Sequence, residues 1–161
     1  MSGRVIAALS WSVLALAAAQ GRAQWNGGGA AKGHVIYAAE PQTVRAGKPA
    51  QVELHFRVES GFHVNSHTPS SDLLIPTVLT LAPADGIKAG APEYPAGASF
   101  SFSFDPKEKL NVYQGDFVVK IPVEAAAGEH SLKGALRYQA CDQAACYPPR
   151  TLAVEAPFTA R

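Results

Sequence analysis

The feature that most constrains this chain is a period of two in its apolar residues. In residues 51–58, Val52, Leu54, Phe56 and Val58 fall on one side, and Glu53, His55 and Arg57 on the other. Successive side chains of an extended strand point to opposite faces, so this alternation predicts a half-buried β-strand. Similar short runs occupy residues 77–81, 100–104, 117–123, 132–140 and 151–158. Turn-forming residues separate them: Ala46-Gly47-Lys48-Pro49, Ala84-Asp85-Gly86 and Ala127-Gly128-Glu129. Most of the 12 prolines and 14 glycines lie between the runs. Pro122 lies inside one, which predicts an edge strand or a bulge there. No long segment carries a helical stripe. Many short strands with frequent turns predict an all-β fold, an antiparallel immunoglobulin-like β-sandwich, with a barrel as the alternative.

The N-terminus reads differently. Arg4 precedes an apolar run over residues 5–19, followed by small residues with cleavage positions after Ala19 or Ala23. That is the pattern of a secretory signal peptide, residues 1–23. The run is short for a membrane span, which needs roughly 20 apolar residues. An uncleaved anchor helix is the alternative. Either way the domain is expected outside the cytosol, in the periplasm, without stable membrane insertion after signal removal. Residues 24–33, with Trp25-Asn26-Gly27-Gly28-Gly29, read as a Gly-rich linker, and residues 34–161 as one sandwich domain. A 161-residue chain that is 47% apolar has room for one packed core. Its 14 basic residues against 13 acidic ones give a net charge of +1, too little field to hold nucleic acid.

The chemistry-bearing stretch is residues 136–149, LRYQACDQAACYPP, with both cysteines of the chain. One pair is short of the four ligands that structural zinc usually takes. A thioredoxin motif needs two intervening residues and a following helix. Here four residues intervene, between strands. The cysteines are expected to face each other at the mouth of a hairpin, where opposed Cα atoms lie about 4.5–5.5 Å apart, within reach of a disulfide. Closing a six-residue loop removes only about 2 kcal/mol of unfolded-state entropy by the chain-entropy formula. A structural staple is better placed between sheets, which favours a redox role modestly and leaves the staple open. Exchange needs one reachable sulfur and a partner close enough to resolve the mixed disulfide. Arg137 and Arg150 favour a thiolate, and Asp142 opposes it.

Tyr138-Gln139-Ala140-Cys141-Asp142 followed by Cys146-Tyr147-Pro148-Pro149 resembles the cysteine loop of the N-terminal domain of the DsbD family of thiol:disulfide interchange proteins. Gly61-Phe62-His63-Val64-Asn65-Ser66, Ile75-Pro76-Thr77, Tyr94-Pro95 and Leu110-Asn111-Val112-Tyr113 with Gly115 match the family in order. The resemblance runs over residues 34–158. It implies a periplasmic immunoglobulin-like carrier of reducing equivalents. A membrane electron-exporting protein would supply it through a thioredoxin-like domain. It would pass electrons to thioredoxin-fold partners such as isomerases or cytochrome c maturation factors. By analogy Cys146 attacks and Cys141 resolves, and no bound cofactor is needed. Full proteins of the family carry the membrane and thioredoxin-like parts on the same chain, so here they are expected from separate proteins. Some members place one more residue between the cysteines, a departure that bears on the loop geometry. Some cover the disulfide with an aromatic cap loop. Phe104 is the candidate cap here, against the alternative that Phe100, Phe102 and Phe104 form the buried face of a strand.

Other residues near the motif have ordinary readings beside functional ones. His63 and His67 are four apart, in a strand end or loop. They are hydrogen-bonding histidines, neighbours of the cysteine loop, or metal ligands together with the thiols. Tyr138 and Tyr147 flank the cysteines as packing groups. Gln139 is expected to hydrogen-bond the loop backbone, and Pro148 and Pro149 to stiffen its exit. His63, Asn65, Tyr138, Gln139, Tyr147 and Pro148 are thus the candidate surroundings of the Cys141/Cys146 pair. The rival functions are a non-catalytic immunoglobulin-like binding module with a structural disulfide, and a periplasmic metal carrier using Cys141, Cys146 and His63.

Overall fold

The computed structural model describes residues 24–25 and 33–161. The signal peptide and most of the linker read from the sequence lie outside the described residues. The strands are β1 (Gln24–Trp25), β2 (Val35–Ala39), β3 (Gln42–Val44), β4 (Ala50–Val58), β5 (His63–Asn65), β6 (Val78–Leu81) and β7 (Ile87–Ala89). They continue with β8 (Ala98–Phe102), β9 (Asp105–Tyr113), β10 (Asp116–Ala125), β11 (Gly128–Tyr138), β12 (Ala140–Cys141) and β13 (Arg150–Ala160). Thus two residues of the stretch read as linker form β1, which pairs antiparallel with β2.

One sheet has the order β1-β2-β4-β10-β7, the second β3-β13-β11-β6, and a smaller third β12-β5-β9-β8. The immunoglobulin-like sandwich is all-β among the described residues. Its pairings are antiparallel except for β3 alongside β13. The alternation of β4 appears as expected: Val52, Leu54, Phe56 and Val58 are buried, and Arg57 is exposed. Opposite them on β10 stand Ile121, Val119 and Phe117. From the second sheet Leu132, Leu136, Val154, Ala156 and Phe158 complete the core. Burying a side chain of this size contributes about 1.5–3 kcal/mol, so these inward faces hold the sheets together. The outward residues of β4 and β10 form ion pairs such as Arg57–Asp116 and Lys120–Glu53, which in water add little.

Two local expectations change. Pro122 is not on an edge strand: β10 lies between β4 and β7, and the irregularity opposite it belongs to the facing chain. Its carbonyl accepts from the Gly90 amide, so its nitrogen faces the same side, where the ladder stops at Ala89 and resumes at Glu93. The missing N–H therefore falls opposite a break. The run at 100–104 also ends early. Phe102 pairs with Asp105, leaving Ser103 and Phe104 as the tip of the β8–β9 hairpin.

Candidate functional site

The third sheet builds the site. After β4 the chain leaves the first sheet at the Gly61 turn, and β5 pairs with β12, setting His63 opposite Cys141 and Val64 opposite Ala140. Beyond β12 the chain reverses and brings Cys146 opposite Cys141. The amide of Asp142 donates to the Ala145 carbonyl at 2.9 Å, and that of Tyr147 to the Ala140 carbonyl at 2.8 Å. Those two bonds flank the cysteines, which makes them a non-hydrogen-bonded pair, the narrower kind in antiparallel pairing. The Cα atoms are 3.9 Å apart, closer than the sequence reading expected, and the sulfurs are bonded.

The two sulfurs belong to unequal surroundings. Cys141 is 1% exposed, whereas Cys146 is on the surface. The difference comes from position: Cys141 belongs to β12, paired with β5, and Cys146 to the returning arm of a loop. Directly opposed residues share a face of an antiparallel sheet. His63, Cys141 and Cys146 therefore form a row across β5, β12 and the return.

Asp142 ties the loop. Its Oδ1 accepts the amides of Ala144 and Ala145 at 2.7 and 2.8 Å, and its Oδ2 accepts the Tyr147 hydroxyl at 2.6 Å. The Tyr147 hydroxyl, then the two amides, holds the carboxyl down at about 2. The same hydrogen bond pushes the Tyr147 phenol up. The sequence reading assigned Asp142 only a charge that opposes a thiolate. Its clamp role was legible as an Asp two residues before the amide it binds, the Asx-turn pattern.

Aromatic rings surround the row. Phe100 stacks tilted on His63 at 4.1 Å between centroids, and Phe102 meets it edge-on at 5.8 Å. Phe104 stacks on Phe102 at 4.9 Å and is 70% exposed. On another side, His34 stacks on Phe62 at 3.6 Å, with Tyr147 tilted against both. His34 has no matching partner in the sequence pattern; it stands over 100 residues from the loop, and the pairing of β2 with β4 brings it near.

The remaining candidates divide. Gln139 donates from Nε2 to the Tyr147 carbonyl at 3.1 Å, as expected of a residue bracing the loop. Tyr138 is buried in the main core, its phenol pushed up by burial. Pro148 is exposed at the loop exit, and the described peptide bonds are all trans. Asn65 is buried, donating to the Ile75 carbonyl at 3.0 Å while its Oδ1 has no partner. His67 is separate from the cysteines, bonded to the Thr77 carbonyl and stacked on Tyr94. Burial pushes His63 down, and the Asp142 charge opposes that shift. Among the described residues no group of three His, Cys, Asp or Glu side chains is arranged to hold a metal.

The model of the family described as thiol:disulfide interchange protein DsbD, N-terminal, matches residues 35–157. The chain belongs to that family. Family membership and the bonded cysteine pair together support a thiol–disulfide exchange domain. No curated protein matches it in sequence. Among solved structures, the N-terminal periplasmic domain of ScsB from Proteus mirabilis is 12% identical with a TM-score of 0.50. That match covers 76% of this chain and 46% of the other, so this chain spans less than half of it. The reduced DsbD N-terminal domain of Neisseria meningitidis is 24% identical, with a TM-score of 0.45, over 72% of this chain and 86% of that one. The same domain in a complex with the PilB N-terminal domain is 24% identical, TM-score 0.44, over 65% and 73%.

Proposed function

We propose that this chain is an exported carrier of reducing equivalents, passing them between thioredoxin-fold partners through Cys141 and Cys146. The observation that carries this reading is the inequality of the two sulfurs within one bonded pair. Exchange requires a thiolate to attack a partner's disulfide and a second thiol to resolve the mixed disulfide. Exposed Cys146 suits the first task, and buried Cys141, bonded to it, suits the second. The bond spans five positions within one loop, where a staple between sheets would span far more.

In this reading Phe104 is the cap. It sits at the tip of a hairpin whose other phenylalanines rest on His63, so lifting the tip would uncover His63 and, beside it, the buried Cys141. Residues 1–23 are a signal peptide, residues 24–33 a tether and residues 34–161 the exchange domain in the periplasm. Electrons arrive from a membrane electron-exporting protein and leave to thioredoxin-fold acceptors, among them factors of cytochrome c biogenesis.

The test is the reduction potential of the pair, measured by equilibration with glutathione or dithiothreitol. Exchange predicts a value well above about −300 mV. A value well below that, with no reaction toward any thioredoxin-like protein, makes the bond a staple in a binding module.

A further inference from the structure

We infer that His63 is the proton acceptor for Cys141 in the step that resolves the mixed disulfide, an inference that rests on the exchange reading above. The geometry sets the problem. Cys141 is 1% exposed, so bulk water cannot readily take the proton its thiol must lose before attacking. The polar side chain directly opposed to it across β12 and β5 is His63, equally buried, and its Nε2 has no hydrogen-bond partner. A buried polar atom without a partner costs about 1–3 kcal/mol. Such a vacancy is explained when the group has work in another state of the molecule. Here the disulfide offers no S–H, whereas the reduced pair does.

The step balances without an added reagent. Cys146, as a thiolate that has given its proton to solvent, attacks the partner's disulfide. One partner thiolate leaves and is protonated by solvent. Cys141–SH then gives its proton to His63 Nε2, and the Cys141 sulfur attacks the Cys146 sulfur of the mixed disulfide. The bond between Cys146 and the partner breaks, and the second partner thiolate departs. The imidazolium returns the proton to that thiolate or to water. Cys141 and Cys146 are oxidised by two electrons, and the partner disulfide is reduced by two.

The surroundings suit a base that works near neutral pH. Phe100 and Phe102 cover the ring from β8 and bring no charge. Asp142, from the loop after β12, is the charged group that bears on it. Burial disfavours the imidazolium and leaves the ring free to accept, and the Asp142 carboxylate favours the imidazolium once formed.

The experiment mixes the reduced protein with glutathione disulfide, quenches by acid, and follows by mass the mixed disulfide at Cys146 and its decay. Wild type is compared with His63→Phe, which keeps an aromatic ring under Phe100, and with His63→Gln. Mixed-disulfide formation should be unchanged within about twofold, while resolution near neutrality slows on the order of 10²-fold, the usual worth of a general base. In wild type the resolution rate should bend at the His63 ionisation observed by NMR of the ring, and that bend should vanish in the variants. If neither variant folds, the wild-type profile decides: no bend at the His63 ionisation overturns the inference. Equal resolution in folded variants overturns it while leaving exchange standing. Failure of wild type to form any mixed disulfide overturns both.

Discussion

The Tyr147 hydroxyl donates to Asp142 Oδ2 at 2.6 Å, closing a ring around the four residues between the cysteines. The loop is thus held by a side-chain clamp as well as by the disulfide, and it should keep its shape when the disulfide is reduced.

That clamp has a pH dependence whose sign follows from the carboxyl. Folding lowers the Asp142 carboxyl from its ordinary 3.8 to about 2. A depressed carboxyl contributes its full stabilisation above the unfolded value and loses it as pH falls toward the folded one. The loop should therefore be intact at neutrality and loosen between about pH 4 and pH 2. Hydrogen exchange at the Ala144 and Ala145 amides checks this. Asp142→Asn should abolish the transition in that window, and a variant that titrates like wild type would sink the clamp.

Cys146 is exposed and Cys141 buried, so the reduced protein should alkylate unequally. Iodoacetamide should modify Cys146 faster by about tenfold or more, because reactivity follows exposure and thiolate character. Peptide mapping after brief treatment reads the ratio. A matching consequence is that Cys141→Ser should trap a partner at Cys146, whereas Cys146→Ser should trap none. Equal alkylation of both sulfurs would remove the basis of the attack-and-resolve assignment.

Phe104 is a large apolar side chain that is 70% exposed yet stacked on a row of rings leading to His63. If it caps the cysteines, Phe104→Ala should speed reduction of the disulfide by dithiothreitol by about three- to tenfold, through access alone. The melting temperature should barely move. An unchanged reduction rate would return Phe104 to a hairpin tip without a covering role.

Gly134 tests the second sheet independently of the cysteines. A Cβ there would stand 2.5 Å from the Thr80 carbonyl oxygen of β6, which pairs alongside β11. Gly134→Ala must push β6 outward, and overpacking of this kind costs about 1–3 kcal/mol. Denaturant titration should show that loss with an unaltered slope. Full stability would mean that β6 yields freely.

Much of this architecture was written in local pattern. The alternation in residues 51–58 specified β4 and its buried face, because period two on a strand leaves no other way to sort Val52, Leu54, Phe56 and Val58 from their neighbours. The residues around Cys141 and Cys146 specified a hairpin and a family in the same way, since turn and spacing are properties of adjacent residues. Other features depended on which strands meet. Which sulfur is buried follows from the pairing of β12 with β5, which places Cys141 opposite His63 inside the sheet, while Cys146 lies on the exposed return. Pro122 reads as an edge residue until the break opposite it is seen. His63 stands 78 positions before Cys141 in the chain, and only the register of β5 on β12 makes them neighbours. Composition and periodicity thus determined the strands with clear alternation (β4, β6, β8, β10, β11 and β13), the sandwich and the cysteine loop, but not β2, β5 or β9; long-range strand pairing alone decided which side chains surround each sulfur, because burial is a property of the neighbours a residue acquires rather than of the residue itself.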